Sequence, residues 1–449
     1  MGVFAGLKFS SKSRVYRIQQ QAFASSQNAS PRRAPKDPFN FAAFTIFLFG
    51  IASLLPWNFF ITATDYWNYK FRDPSPNSTT DTTPLQKSFN SYLAIASKLP
   101  YIIFLVVNTA IANKIRCSVR IGYSLFICIV LFIATAALVK IDTDLHQKEF
   151  LAATLCIVVL INVVCGFLQG GGTGLAGTLP AKYMATNVMG QAAGGVFATL
   201  CQLVCLLCDT HPTDSALLYF GIATVVLIIT QICFWILVRM DFYAFYMAED
   251  KVLLSYHGKH QIDDQKKSTP FWGIFKAGWM FYIATVLIFW VTLAVFPAIT
   301  ALVRSSDASN GSAVTNKLFI PLACFVVFNF SDLFGRLLAK YLPIPASQGA
   351  MVLALSVTRI LFIPLFLICN VSPGSRNLTP ILLDQDWHYV LVMFLFGASN
   401  GYVTTLSLTY AAKASAPEHQ EVAGSLAAVF LGLGLALGSL SSYLTLQLL

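Results

Sequence analysis

Residues 319–336 read FIPLACFVVFNFSDLFGR, an apolar run that contains a single acidic residue, Asp332. Asn329 lies three residues before this aspartate and Arg336 lies four residues after it, so a helix places all three side chains on one face. A charged side chain in hydrocarbon costs about 2.5 kcal/mol or more and is expected to face a cavity or a partner. An acid, an amide and a guanidinium on one face form a site for a polar, neutral solute. The stretch therefore predicts a membrane-spanning helix with a polar site, and it favours a transporter.

The composition of the whole chain indicates an integral membrane protein. Of its 449 residues, 56% are hydrophobic and 11% are charged, and the mean hydropathy is +0.66. A soluble domain carries about a quarter charged residues. Apolar runs of about 20 residues, long enough to span a bilayer as a helix, recur along the chain. We count eleven, at about 41–63, 89–112, 117–139, 150–171, 188–208, 215–238, 277–303, 318–339, 350–370, 387–410 and 421–446.

The segments between these runs predict the topology and the domain organisation. The basic N-terminal tail has no apolar core, which favours a cytosolic N-terminus over a signal peptide. We expect a cytosolic tail at 1–40, a six-helix bundle at 41–238, a cytosolic linker at 239–276 and a five-helix bundle at 277–449. An odd number of spans places the C-terminus outside. The excess of Lys and Arg in the cytosolic segments agrees with this orientation and accounts for the net charge of +10 without a nucleic acid partner.

The positions of cysteines, histidines and glycosylation motifs indicate which kinds of covalent and metal-binding site to expect in the chain. The ten cysteines lie within or at the ends of the expected helices, which argues against a disulfide framework. The sequence indicates no metal site and no cofactor, since its histidines lie in loops or at helix ends. The long loop at about residues 64–88 contains Asn77-Ser-Thr, a glycosylation acceptor that we expect to lie outside the membrane.

Two further spans carry polar residues beside residues that disturb a helix. In the first span Pro56 interrupts the hydrogen-bond ladder, and Trp57 and Asn58 offer a stacking surface and an amide. In the fourth span Gln169 begins a glycine-rich stretch that lets helices approach closely. A buried amide needs either another helix or a ligand as its partner. We expect Trp57, Asn58 and Gln169 to contact a ligand, with an interfacial Trp57 and a helix-bonded Gln169 as the alternatives.

Two basic residues inside spans have no partner that the sequence reveals. Lys98 precedes Leu99-Pro100 in the second span, and Arg359 lies in the ninth. Lys98 has a place beside a water-filled path, and Arg359 has one in a pair across the bundle. We interpret both as structural, with ligand binding as the alternative.

The sequence offers little support for the classes of enzyme that work inside membranes. An intramembrane aspartyl protease requires two membrane Asp residues and a zinc protease requires an H-E-x-x-H helix, and the spans offer neither. A receptor or channel for another polar solute is the competing class. A channel usually has a short repeated filter or a ring of like charges, and the sequence has neither. We therefore expect a transporter rather than an enzyme.

Several motifs resemble the equilibrative nucleoside transporters of animals, in order and over about residues 41–449. They are residues 54–63 (LLPWNFFITA), 169–170 (QG), 174–180 (GLAGTLP), 296–300 (FPAIT), 328–336 (FNFSDLFGR), 364–370 (PLFLICN) and 399–402 (SNGY). The resemblance implies an all-α fold like the major facilitator superfamily, with eleven helices arranged as six plus five around a central site. It implies facilitative, alternating-access transport of purine and pyrimidine nucleosides, with nucleobases as a further class, by a monomer in the plasma membrane. A proton-linked lysosomal transporter is the alternative within the family.

The resemblance also assigns roles to matching residues around the acid. Asp332 and Arg336 would hold the ribose hydroxyls, with Asn329 and Phe325 beside them. Gln169 would form hydrogen bonds with the edge of the base.

At the outer end, Trp57 and Asn58 would line the cavity, and Phe296 before Pro297 would form part of the outer gate. The D-x-x-G-R spacing that ends at Arg336 also resembles the gate motif of the major facilitator superfamily. We therefore expect Arg336 to serve both ligand binding and gating.

Overall fold

The computed structural model describes residues 35–73, 83–208, 211–247, 271–307, 312, 315, 318–371 and 380–448. Within these ranges the chain is helical, with isolated β-bridges between loop segments and no strand. The glycosylation candidate Asn77, most of the basic tail and residues 248–270 of the expected linker lie outside the described residues.

The main helices follow the expected order of spans. In the first half they are α1 (Phe41–Thr62), α2 (Thr64–Lys70), α3 (Pro84–Ala110), α4 (Cys117–Val139), α5 (Gln147–Thr178), α6 (Ala181–Leu207) and α7 (Pro212–Leu237). In the second half they are α8 (Phe271–Val295), a π-helical segment (Ile320–Val326) that continues into α9 (Val327–Tyr341), α10 (Gly349–Thr358), a 3-10 turn (Arg359–Leu361), α11 (Phe362–Leu367), α12 (Asp386–Lys413) and α13 (Gln420–Gln447).

Ten helical segments within the described residues are long and apolar enough to cross a membrane. They coincide with ten of the eleven expected spans, and the prediction of an all-α integral membrane protein is confirmed. The second expected span falls on α3, whose described apolar part reaches only from Ile95 to Ala110. The count of eleven is therefore not confirmed, although α3 is helical throughout.

Large apolar side chains cover much of the outer surface of the helices. Ile133, Trp235 and Leu440, for example, are 53%, 47% and 73% exposed. An apolar surface of this kind is stable against the hydrocarbon of a bilayer rather than against water. The polar residues that concern function lie instead between the helices.

One close approach between helices determines where those polar residues lie. Gly401 on α12 packs directly against the backbone carbonyl of Asp332 on α9. A Cβ atom at Gly401 would collide with that carbonyl, so glycine is required for α9 and α12 to pack here. The contact brings α12 beside the part of α9 that carries the buried acid.

Helices of the first half face helices of the second half. Helix α13 contacts α3 and α5, while α9 and α12 contact α6. Within the halves, α1 packs on α6 and α7, and α8 packs on α12 and α13. Asp332 and Gln169 lie on α9 and α5, which both take part in contacts between the halves.

Candidate functional site

Asp332 is buried on α9 and accepts hydrogen bonds from two helices. Its Oδ2 atom accepts from Arg336 Nε at 2.8 Å, one turn further along α9. Its Oδ1 atom accepts from Asn400 Nδ2 on α12 at 2.6 Å. Asp332 and Arg336 are each 4% exposed, so salt screens this ion pair much less than a pair on the surface. Each carboxylate oxygen has two lone pairs, so Asp332 can still accept from a ligand.

The same face of α9 reaches across to the first half of the chain. Arg336 Nη1 donates to the backbone carbonyl of Val188 on α6. Asn329 Nδ2 donates to Thr199 Oγ1 on α6 and to the carbonyl of Phe325, both at 2.9 Å. The structure therefore places Asn329 and Arg336 against α6, in agreement with the shared helical face that their spacing predicts.

A second buried guanidinium, that of Arg359, lies beyond Asn400. Its Nη2 atom donates to Asn400 Oδ1 at 3.3 Å and to Thr292 Oγ1 on α8 at 2.9 Å. Its Nη1 atom donates to the backbone carbonyl of Phe396 at 2.8 Å and to Ser399 Oγ. Arg359 thus has partners on α8 and α12, in agreement with the expected pairing across the bundle.

Gln169 on α5 is 1% exposed, and neither atom of its side-chain amide has a hydrogen-bond partner within the described residues. A buried polar group without a partner is destabilising by about 1–3 kcal/mol. The carbonyl of the next residue, Gly170, accepts from Ser425 Oγ on α13 at 2.9 Å. Gln169 therefore offers one unused donor group and one unused acceptor close to the contact between the halves.

Trp57 and Asn58 follow Pro56 inside α1, and both side chains are half-buried. Lys98 on α3 places its Nζ atom 3.5 Å from the centroid of the Trp57 ring. A desolvated cation over an indole face gains about 2 kcal/mol. Lys98, for which the sequence reveals no partner, is therefore paired with a residue of the predicted site.

An aromatic group lies at the π-helical end of α9. The ring of Phe296 stacks on Phe328, with centroids 4.2 Å apart, and meets Phe325 edge-on at 5.6 Å. Phe296 and Pro297 are joined by a cis peptide bond directly after α8. The structure therefore brings the expected gate residue Phe296 into contact with the expected site residue Phe325.

Polar contacts also join the two halves near the start of α13. Arg120 on α4 forms an ion pair with Glu421, and the two side chains are 2% and 16% exposed. Arg120 also donates to the side chain of Asn108 on α3. Lys413 at the end of α12 donates from Nζ to the carbonyl of Gly177 on α5 at 2.8 Å. The sequence does not predict the ion pair, because its members lie 301 positions apart in different spans.

One spacing near the site resembles an enzyme motif. Residues 397–401 read GASNG, which matches the G-x-S-x-G spacing of a nucleophile elbow. Ser399, however, lies inside α12 rather than at a strand-to-helix turn. Its hydroxyl accepts a hydrogen bond from Arg359 and therefore takes part in the polar network.

Comparison with known proteins identifies the family and supports the fold. Residues 155–446 match the nucleoside transporter family. The chain is 35% identical to equilibrative nucleoside transporter 2 of Rattus norvegicus, over 93% of this chain and 99% of the relative. It is 32% identical to equilibrative nucleoside transporter 1 of Homo sapiens, over 91% of this chain and 98% of the relative.

A solved structure supports the predicted fold. The proton:xylose symporter XylE of the major facilitator superfamily superposes with a TM-score of 0.58 at 11% identity, over 91% of this chain and 87% of the symporter. At this identity the likeness concerns the fold alone, and the prediction of a major-facilitator-like helical bundle is confirmed. Together with the sequence matches, these findings show that the chain is a multi-pass membrane transporter, not an enzyme, and that it belongs to the equilibrative nucleoside transporter family.

Proposed function

We propose that this chain carries purine and pyrimidine nucleosides across a membrane by facilitated diffusion. The observation that carries the proposal is the buried Asp332–Arg336 ion pair on a helix that faces the other half of the chain. Ribose hydroxyls donate well to a carboxylate and accept well from a guanidinium. The family match and the equilibrative nucleoside transporters among the relatives support the same cargo here, with nucleobases as a further class.

In the proposed site, Asp332 and Arg336 hold the ribose, with Asn329 and Phe325 beside them. Gln169 holds the edge of the base. The nitrogen and the oxygen of the Gln169 amide, which have no partner among the described residues, support this role, because the edge of a base offers both donors and acceptors. Asn329 donates to Thr199 on α6, so we assign it to the wall of the site next to that helix.

At the outer side of the proposed path, Trp57 and Asn58 line the cavity, and Phe296 with Pro297 forms part of the gate. The stacking of Phe296 against the aromatic rings of α9 supports the gating role. Movement of this ring exposes the end of α9 that precedes the ion pair, so gate opening and access to the ribose site are linked.

Transport proceeds by alternating access between a six-helix bundle at 41–238 and a five-helix bundle at 277–449. The contacts of Arg120 with Glu421 and of Arg336 with α6 close the cytosolic side of the path. Inward opening breaks both contacts. Arg336 therefore takes part in ribose binding and in gating.

The proposed location is the plasma membrane, with the tail at 1–40 and the linker at 239–276 in the cytosol. The C-terminus lies outside, and Asn77 carries a glycan in the outer loop. The chain works as a monomer in the lipid bilayer and needs no nucleic acid partner. The net charge of +10, concentrated in cytosolic segments under this topology, supports the orientation.

Uptake of labelled uridine by cells that express the chain tests the proposed function. We expect saturable uptake that purine and pyrimidine nucleosides inhibit by competition, measured between about pH 5 and pH 8. Uptake that stays constant over this range supports facilitated diffusion, whereas a steep rise at acidic pH favours the proton-linked lysosomal alternative. Absence of competition by any nucleoside would overturn the proposal and favour a receptor or channel for another polar solute.

A further inference from the structure

Arg359 is among the largest fully buried side chains of the described residues, with 1% of its surface exposed. Its guanidinium donates to a hydroxyl on α8 and to a carbonyl, a hydroxyl and an amide on α12. Its central carbon lies 4.8 Å from the centroid of the Phe396 ring. Each of these four acceptors is neutral. Neutral groups compensate a buried charge only in part, so the position of Arg359 in the polar network calls for a functional explanation.

Asn400 connects Arg359 with the acid of the proposed site. The oxygen of the Asn400 amide faces Arg359, and its nitrogen donates to Asp332 Oδ1 at 2.6 Å. An amide has one accepting end and one donating end, so the donor on one side determines what it offers on the other. If the amide turned over, its oxygen would face the carboxylate of Asp332 and repel it.

Thr292 shares this task only when its single hydroxyl proton points to Asn400. Its hydroxyl has one proton and two acceptors within reach, the carbonyl of Ile288 at 2.7 Å and Asn400 Oδ1 at 2.8 Å. While the hydroxyl donates to Ile288, Arg359 is the described donor that remains for the amide oxygen. Arg359 therefore acts on the Asn400 amide in two ways: it donates to the amide oxygen directly, and it donates to Thr292 Oγ1, the other group beside that oxygen, at 2.9 Å.

We infer that Arg359 is a positioning residue for ligand recognition and that it acts on Asp332 through Asn400. Arg359 orients the amide, the amide nitrogen holds Oδ1, and Arg336 holds Oδ2, so the carboxylate is fixed in one rotamer. This inference rests on the proposed function, in which the fixed carboxylate recognises ribose hydroxyls. The ligands whose binding depends on Arg359 are then nucleosides with free ribose hydroxyl groups.

The test compares uridine with 2′,3′-dideoxyuridine, which lacks the 2′- and 3′-hydroxyls but keeps the 5′-hydroxyl, in the full-length chain and in Arg359→Lys. Lysine keeps the charge but has no planar fork with which to bridge its partners. We expect the half-saturation concentration of uridine to rise about tenfold, or about 1.4 kcal/mol. The half-saturation concentration of dideoxyuridine should change much less. The preference for uridine, which is the ratio of the two half-saturation concentrations, therefore falls. A merely structural role would lower the maximal rate or affect both ligands equally, and that result would overturn the inference.

Two further variants make the result decisive. Asn400→Ala should lower the uridine preference as Arg359→Lys does, and the double variant should show no further loss, because both act on the same contact. If Arg359→Lys does not reach the membrane, an unchanged preference in Asn400→Ala overturns the inference. The control is Ser356→Ala: Ser356 is fully buried in α10, and its single hydroxyl proton is donated to the carbonyl of Val352 in the same helix, so the preference should stay unchanged. A wild-type chain that takes up no uridine contradicts the proposed function, whereas normal wild-type preference retained in Arg359→Lys contradicts this inference alone.

Discussion

Arg120 on α4 and Glu421 on α13 form an ion pair that joins the two halves of the chain, in which Arg120 is buried and Glu421 is partly buried. Removing one partner of such a pair leaves the other charge uncompensated, which costs about 3–5 kcal/mol. Because the pair spans the contact between the halves, breaking it affects the movement of the halves relative to each other more than the stability of either half. It therefore belongs to the proposed cytosolic gate.

Reversal of the Arg120–Glu421 pair tests that gate. Glu421→Lys places two cations together, and we expect uridine transport to fall at least about tenfold. The double variant Arg120→Glu with Glu421→Lys restores an ion pair and should recover a large part of the rate. Lys140 and Asp214 form an exposed pair, 59% and 61% exposed, and reversing it should have little effect. Equal rates for the single and the double variant would contradict the gating role.

Replacement of Gln169 by leucine should have opposite effects on stability and on transport. The buried amide has no partner within the described residues, so its removal should raise the free energy of unfolding by about 1–3 kcal/mol. Uridine uptake should fall sharply, since the base loses its hydrogen-bonding partner. Thermal unfolding of purified protein and uptake in cells measure the two effects.

Gln231 on α7 provides a matched control for Gln169. Its amide is also buried, at 4% exposure, and also lacks a partner within the described residues. Gln231→Leu should therefore stabilise the protein while uptake remains normal. If both variants lost uptake to the same extent, the effect of Gln169 would be structural rather than a loss of ligand contact.

The pair formed by Lys98 and Trp57 predicts a difference between two substitutions. Lys98→Met removes the cation that lies over the indole and should raise the half-saturation concentration of uridine, by up to about thirtyfold for a loss of 2 kcal/mol. Lys98→Arg keeps a cation that can stack on the ring and should stay near the wild-type value. Uptake kinetics of both variants, corrected for the amount at the cell surface, give the answer. Equal half-saturation concentrations for the two variants would show that the cation over Trp57 does not contribute to uridine binding.

The close contact between α9 and α12 predicts a strong effect of one methyl group. Gly401→Ala pushes α12 away from the carbonyl of Asp332, and Asn400 moves with it. We expect a loss of uridine binding together with lower thermal stability. At Gly221 on α7, no described atom beyond the adjacent turns of its own helix lies within 4 Å of an added Cβ, and Gly221→Ala should be neutral or stabilising, because alanine favours a helix. Normal binding by Gly401→Ala would contradict the role of this contact.

Local patterns predicted the parts of the site that lie within one helix. The apolar runs predicted the positions of ten helical segments, because hydropathy is a property of consecutive residues. The spacing of Asp332 and Arg336 predicted that both side chains lie on one helical face, and the structure shows them there as an ion pair.

Such local patterns could not predict contacts between residues that are distant in the sequence. Asn400 reaches Asp332 from 68 positions away, and Arg359 reaches Asn400 from 41 positions away. Arg359 is a charged residue in an apolar span, so the sequence indicated that it needs a partner without showing which one, and it gave no reason to single out Asn400. The glycines of α12 did not indicate the contact with α9 either, because the sequence does not distinguish a glycine at a close helix contact from one that faces lipid.

The direct measurement of the central claim is equilibrium binding of uridine to the purified chain and to Asp332→Asn. If the carboxylate holds the ribose hydroxyls, the Kd should rise at least about tenfold, as expected for loss of a hydrogen bond to a charged group. The Kd of dideoxyuridine should change little. An unchanged Kd for uridine together with slower transport would contradict the account and assign Asp332 to gating alone.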